Sequence, residues 1–194
     1  MVFDFDGTLT HRDSFIAFLK FIKPGSSFYL HLWLSVPELI LYFSGYFSKK
    51  QIKERLLKNI CGKISQKQFD ALCAAFGEKE IPKLIKPDAL KCIEDYQNQD
   101  ATMVLLTASP EDYLKSFCRK HNMKLIGTKL QRSSLYFTAK IDGENCFGIE
   151  KVKRLEEKFQ IQKFETRIGY GDSFGDKPFL KLMTEVHYKP FRNH

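Results

Sequence analysis

Asp4 and Asp6 stand two residues apart in the segment DFDGT, and Asp172 and Asp176 stand four apart in GDSFGD. Carboxylates that converge on one point repel each other and need a cation, and hard oxygen ligands of this kind select Mg²⁺. A metal held by carboxylates with open coordination positions implies a phosphate ligand. One carboxylate beside it can attack phosphorus and become an aspartyl-phosphate. A second, two residues on, can protonate the leaving oxygen and then activate water. Thr107, in the segment Thr107-Ala108-Ser109, and Lys151 offer a hydroxyl and a cation to the charge on a transferring phosphoryl group. Each feature alone has an ordinary reading. A DxD pair is common in loops, an isolated lysine on a helix is usually solvated, TAS before Pro110 suits a helix cap, and GDSFGD suits a turn. The case rests on where they fall together.

The elements that must position these residues alternate. Val2 and Phe3 form a very short first strand, below the usual length of about five residues. Residues 101–106, ATMVLL, are a continuous apolar run, as in a buried parallel strand. Leu135, Phe137, Ala139 and Ile141 alternate strictly and predict a half-buried strand over 133–141, and residues 167–170 predict another. Helical patterns cover 88–98 and 148–159, and Pro110 is expected to open a further helix. Strand and helix in alternation predict an α/β fold with a central parallel sheet. In such sheets ligands sit at the carboxyl ends of the strands. The acidic and hydroxyl segments follow three predicted strands, and Lys151 lies near the start of a helix.

Residues 14–86 read differently. Phe15, Phe18, Leu19 and Ile22 follow helical spacing, stopped by Pro24-Gly25-Ser26. Ser48 with Gln51, and Ser65 with Gln68, have capping-box spacing for two more helices. Between these, residues 28–47 contain fourteen apolar residues in twenty. That length could just span a bilayer, but Pro37 and Glu38 at its centre argue for a helical hairpin, packed within the segment or dipping into a membrane interface.

The chain has 194 residues and a net charge of +8. Residues 14–86 hold 12 Lys/Arg against 5 Asp/Glu, while the remainder is nearly balanced at 19 against 18. A basic segment on a neutral body suggests an anionic partner, or simply a solvated basic face. Phe28, Tyr29, Trp33, Tyr42, Phe43, Tyr46 and Phe47 lie beside lysines, as at a membrane interface. Lys49, Lys50 and Lys53 are expected among the cations meeting that surface. The same aromatics also suit the core of a helical unit. Nucleic acid is not expected, because no RNP, zinc-finger or bZIP pattern accompanies the charge. Five scattered cysteines, none in a CxxC pair, exclude a disulfide framework or zinc ribbon. With no basic leader before Asp4, a cytoplasmic protein is expected, associated with the inner face of the membrane if the interface reading holds.

DFDGTLT, LLTAS, Lys151 and GDSFGD resemble the four motifs of the haloacid dehalogenase (HAD) superfamily, in its phosphatase branch. The resemblance implies a Rossmann-like core, residues 1–13 and 87–194, with residues 14–86 as an inserted all-helical cap of the C1 type. It implies Asp4 as nucleophile and Asp6 as general acid/base, with Thr107, Ala108 and Lys151 binding phosphate. Mg²⁺ is then expected on Asp4, the main-chain carbonyl of Asp6, Asp172, and Asp176 directly or through water. The finer phrases HRDSFIAFLKFI, NCFGIEKVKRLEEKF, GYGDSFGDKPFL and HYKPF resemble subfamily IB, and within it the phosphatidylglycerophosphatase C-like proteins. A Mg²⁺-dependent phosphomonoesterase follows, acting on a lipid phosphate or on a small soluble monoester such as phosphoserine. A phosphomutase has no support in the sequence. A non-catalytic phosphate-binding protein would be signalled by loss of Asp4, Asp6, Lys151 or Asp172, and all four are present.

Overall fold

The computed structural model describes residues 1–99 and 101–191, with all their side chains except that of Leu39. Residues 192–194, at the end of the expected core range, lie outside the described residues. Five parallel strands form one sheet in the order β3-β2-β1-β4-β5: β1 Val2–Phe3, β2 Met103–Pro110, β3 Met123–Thr128, β4 Ile168–Gly171 and β5 Glu185–Tyr188. The two-residue β1 suffices because it is paired on both sides, Val2 and Phe3 matching Val104 and Leu105 on one flank and Gly169 and Tyr170 on the other. Residues of β2 alternate between two cores. Met103 and Leu105 join the apolar cluster on one face of the sheet, and Val104 and Leu106 join that on the other. That double burial is why the strand reads as an unbroken apolar run.

Between β1 and β2 the chain is helical: α1 Ser14–Ile22, α2 Ser26–Leu34, α3 Val36–Phe43, α4 Lys49–Cys61, α5 Gln66–Lys79, α6 Ile81–Leu84 and α7 Pro87–Asn98. Asp13 caps α1 by accepting the Ile16 N–H at 2.9 Å, and both expected capping boxes are formed, at Ser48 and at Ser65. After β2 come α8 Lys115–Lys120, α9 Ile149–Lys158 and the short α10 Lys177–Leu180. The inserted helices are joined to the sheet by aromatic packing. Phe18 lies 5.2 Å from Phe76 and 4.9 Å from Tyr113, centroid to centroid, and Phe69 stacks on Phe137 at 3.6 Å.

The structure departs from the sequence reading in three places. Residues 133–141 are not a strand. Phe137, Ala139 and Ile141 do point inward, but Leu135 is 69% exposed and Ala139 has φ 55°, so the chain only touches neighbours through isolated bridges. Pro110 ends β2 rather than opening a helix. A 3₁₀ turn at Glu111–Tyr113 intervenes before α8. Strands β3 and β5 carry no alternation that announced them, and β5 is a largely exposed edge. The apolar segment 28–47 is not one helix, as expected from Pro37 and Glu38 at its centre: it breaks at Ser35 into α2 and α3, with Pro37 in the first turn of α3. No helix among the described residues is long and apolar enough to cross a membrane.

The lysines of α4 also face another way than expected. Lys53 donates to the Ala108 carbonyl at 2.7 Å, Lys50 donates to the Gly143 carbonyl, and the Lys49 ammonium lies 3.3 Å from the Phe147 ring centre. All three ammonium groups contact residues of the loops at 108 and 143–147, with Lys49 still exposed to solvent.

Candidate active site

The loop after β1 is anchored by Phe5 and Leu9, both fully buried, so the polar residues between them stay at the end of the strand. The Asp4 N–H donates to the Tyr170 carbonyl at 2.9 Å, which fixes the start of the loop to β4. Gly7 makes the turn possible. Its φ is 79°, and a side chain there would run into the Asp172 carboxylate. Lys86 donates to the Gly7 and Thr8 carbonyls at 2.6 and 3.0 Å, holding the far side of the loop.

Around Asp4 the charges are tightly packed. Lys151, itself buried, donates to Asp4 Oδ1 and to Asp176 Oδ1, each at 2.6 Å. The Thr8 hydroxyl sits 3.1 Å from Asp4 Oδ2 and 3.4 Å from Asp172 Oδ1. Asp176 accepts three further hydrogen bonds on Oδ2, from the Asp172 N–H, the Ser173 N–H and the Ser173 hydroxyl. Carboxylate oxygens of Asp4, Asp172 and Asp176 all lie within 4.8 Å of one another. Burial pushes the Asp4 carboxyl up to about 7, against the pull of Lys151. Burial also raises Asp172, helped by the neighbouring Asp176 charge. For Asp176 itself burial acts upward, but the Lys151 ammonium and the three added donors hold the carboxyl below its usual range. Lys151 is held above the ordinary lysine range because its two carboxylates outweigh the cost of burial.

Asp6 points elsewhere. Its Oδ1 accepts the Ser14 N–H at 2.6 Å, at the first turn of α1, and its Oδ2 accepts the Ser109 hydroxyl at 2.5 Å. Ser14 Oγ continues the network to Ser109 Oγ at 3.1 Å and to the Tyr113 hydroxyl at 3.2 Å. Burial raises the Asp6 carboxyl, with the Asp13 charge adding to it. The two carboxylates of DFD thus occupy separate settings, Asp4 bonded to an ammonium and Asp6 to two neutral donors.

A profile of the haloacid dehalogenase-like hydrolases matches residues 1–181, spanning the Asp4 loop, Thr107, Lys151 and Asp176. The chain belongs to this family. Among curated relatives, protein CicA of Caulobacter vibrioides is 34% identical over 194 residues, covering 99% of this chain and 86% of the relative. A protein of unknown function from Bordetella pertussis Tohama I has the same fold, with a TM-score of 0.82, 21% identity, and coverage of 95% of this chain and 86% of the other. A substrate-bound phosphoserine phosphatase aligns at a TM-score of 0.65 and 12% identity, covering 96% of this chain and 83% of the other.

In this member of the family Asp4, Lys151, Asp172 and Asp176 meet directly. Asp6 enters none of the carboxylate clustering, and its side chain is reserved for Ser14 and Ser109. Thr107 is buried and accepts the Ser109 N–H at 3.0 Å, without a carboxylate contact. The Ala108 carbonyl accepts both Lys53, at 2.7 Å, and the Thr128 hydroxyl, at 2.7 Å. Sequence reasoning did not single out Thr8, Ser14, Lys53, Lys86, Ser109, Tyr113 or Asn145 as site residues. Thr8 and Ser109 stand inside motifs already noticed. The others gave no signal of their own, because they reach the site from helices and loops distant in sequence.

Proposed function

We propose that this chain hydrolyses phosphate monoesters through a covalent intermediate on Asp4. The observation that supports this best is the division of labour between two neighbouring carboxylates in different settings: Asp4 against Lys151 and Thr8, Asp6 against Ser14 and Ser109. Asp4 attacks phosphorus while the bond to the leaving oxygen breaks, and Asp6 gives that oxygen its proton. Water then attacks the aspartyl-phosphate and yields its proton to Asp6, releasing phosphate and restoring Asp4. Lys151, Thr107 and the backbone at Ala108 hold the phosphoryl oxygens, and the helices of 14–86 act as the cap over them.

The donor set fits a hard divalent cation. Three carboxylates gather within 4.8 Å of one another, Asp4 and Asp176 bonded to Lys151 and Asp172 under the charges of Lys86 and Lys151, so carboxylates outnumber these ammonium groups, and every clustered ligand atom is oxygen. Asp4, Asp172 and Asp176, with the main-chain carbonyl of Asp6, are the residues that would hold Mg²⁺. Bound there, the ion would supply positive charge to the phosphoryl oxygens. The test is a screen of purified protein against soluble and lipid phosphomonoesters with Mg²⁺ and with EDTA. Activity that EDTA abolishes and Mg²⁺ restores is expected. Full activity in EDTA would refute the metal site, and inertness toward every monoester would refute the reaction.

A lipid phosphate such as phosphatidylglycerophosphate is the substrate class we favour, with the protein working at a membrane surface. Tyr29, Leu30, Trp33, Ile40, Phe43 and Tyr46 on and just after α2 and α3 are all at least 57% exposed, a patch rich in the aromatics that settle at headgroup level. Between Ser14 and Lys63 there are eight Lys/Arg and only two acids, Glu38 and Glu54. Glu54 is bonded to Lys140 and the Ile141 N–H, and Glu38 is half-buried near Arg55. The cations serving the surface are not Lys49, Lys50 and Lys53. Lys20, whose ammonium is 6.0 Å from the Tyr29 ring, and Arg55, 4.4 Å from the Phe47 ring, take their place. Sedimentation with anionic vesicles at low salt is expected, falling as salt rises and falling further in a Trp33→Ser, Phe43→Ser double variant. A protein that ignores anionic vesicles leaves the soluble monoester as the substrate class.

A further inference from the structure

Lys53 carries a charge that no carboxylate among the described residues pairs with directly. It projects from α4 onto the sheet's loops, where its ammonium donates to the Ala108 carbonyl at 2.7 Å and to Asn145 Oδ1 at 2.9 Å. Both acceptors are neutral. Among the described residues no carboxylate lies within 4 Å of its nitrogen, and its remaining contact is with the face of the Phe15 ring, 5.7 Å from nitrogen to ring centre. Cations taken out of water are ordinarily paired, because desolvation costs several kcal/mol per ion unless an opposite charge compensates it. The environment registers that cost: burial pushes Lys53 down to about 8, against the opposing charges of Asp6 and Asp13.

The two acceptors are themselves fixed. The Thr128 hydroxyl lies 2.7 Å from the Ala108 carbonyl and 3.2 Å from Asn145 Oδ1, and it accepts the Cys146 N–H at 3.0 Å. Lys53 is therefore held in one place by a buried frame, with a charge that no carboxylate pairs directly. Lys49, one helical turn earlier on the same face, adds a second cation over the Phe147 ring. The Ala108 carbonyl that Lys53 holds immediately precedes Ser109, whose hydroxyl donates to Asp6 Oδ2. That places Lys53 on the side where Asp6 meets the leaving oxygen.

We infer that Lys53 is a specificity-determining residue that binds a second anionic group, carried on the alcohol part of the substrate. The substrate class is then a phosphate monoester whose leaving alcohol bears its own negative charge. This rests on the monoesterase reading above. A phosphodiester in a lipid headgroup and a carboxylate in an amino-acid alcohol share the required chemistry.

The experiment compares kcat/KM across two pairs of substrates. Glycerol 3-phosphate and p-nitrophenyl phosphate carry no anionic group besides the phosphate that is transferred. A short-chain phosphatidylglycerophosphate and phosphoserine leave with a phosphodiester and a carboxylate, respectively. The wild type should favour at least one anion-bearing substrate by about 10-fold or more, and which of the two it favours separates the lipid source from the amino-acid source. Lys53→Met should reduce that preference by roughly 10- to 100-fold, the range expected for a hydrogen bond to a charged group. Lys53→Arg should keep most of it, which a merely structural lysine would not require. A wild type with no preference overturns the inference without any variant. So does a Lys53→Met protein whose activity falls equally on all four substrates, and Lys53→Gln serves if the Met variant does not fold. Turnover of p-nitrophenyl phosphate that depends on Asp4 keeps the monoesterase reading standing in either case.

Discussion

Asp4→Asn should remove at least ~10³ of the turnover while the protein stays folded. Asparagine has the shape of aspartate but not its charge, and the attacking atom in the covalent route is a carboxylate oxygen. The surroundings tolerate the exchange. Lys151 keeps its bond to Asp176 at 2.6 Å, and the Thr8 hydroxyl can still donate to the remaining amide oxygen. Removing one of three like charges from a cluster in which burial already opposes ionisation also relieves repulsion. The thermal midpoint is therefore expected to hold or to rise. Two measurements decide the matter: steady-state turnover of variant free of wild-type contamination, and trapping of phosphate on the acid-quenched protein. Wild type should carry label on Asp4 and the variant none. Near wild-type turnover by Asp4→Asn would sink the covalent mechanism.

The motifs were legible because each sits where the backbone geometry leaves little choice. Two apolar residues, an acid, and a glycine three positions later describe a strand that ends in a left-handed turn, and Gly7 at φ 79° against Asp172 is the physical content of that spacing. Capping boxes at Ser48 and Ser65 were legible for the same reason, since three-residue reciprocity is local. What the sequence hid is non-local. The alternation reports inward-facing side chains at Phe137, Ala139 and Ile141 but not at Leu135, and whether such a stretch becomes a strand depends on a neighbour to pair with; at Ala139 the chain turns left-handed instead. β5 has little apolar character because it lies at the sheet edge. The lysines of α4 illustrate the same limit. Composition marks them as basic, and only the packing of α4 against the loops at 108 and 143–147 shows that Lys53 and its neighbours look inward. The outward apolar face belongs to α2 and α3, where a hydrophobic run without a polar side was the correct warning.

Asp6→Asn should lower kcat by roughly 10²- to 10⁴-fold on alkyl phosphates, and should leave phosphate stranded on Asp4. The fold around Asp6 accepts an amide. Its oxygen can keep the Ser14 N–H, while its NH₂ donates to Ser109 Oγ, a hydroxyl that is able to reverse its role. The change therefore deletes proton transfer with little disturbance of position. The two half-reactions then separate by leaving group. An alkyl oxide needs a proton to depart, so the first step slows with an alkyl phosphate. A p-nitrophenolate departs without one, so the first step survives with p-nitrophenyl phosphate. Attack of water on the aspartyl-phosphate needs a base with either substrate. Rapid mixing of the variant with p-nitrophenyl phosphate should give a burst of nitrophenolate approaching one equivalent per active site, followed by slow turnover. The burst should be absent with Asp4→Asn and with the double variant. A variant that turns over both substrates at the wild-type rate would remove Asp6 from the mechanism. One that slows on both without a burst would place its role before phosphoryl transfer, in holding Ser14 and Ser109, rather than in handling the proton of the attacking water.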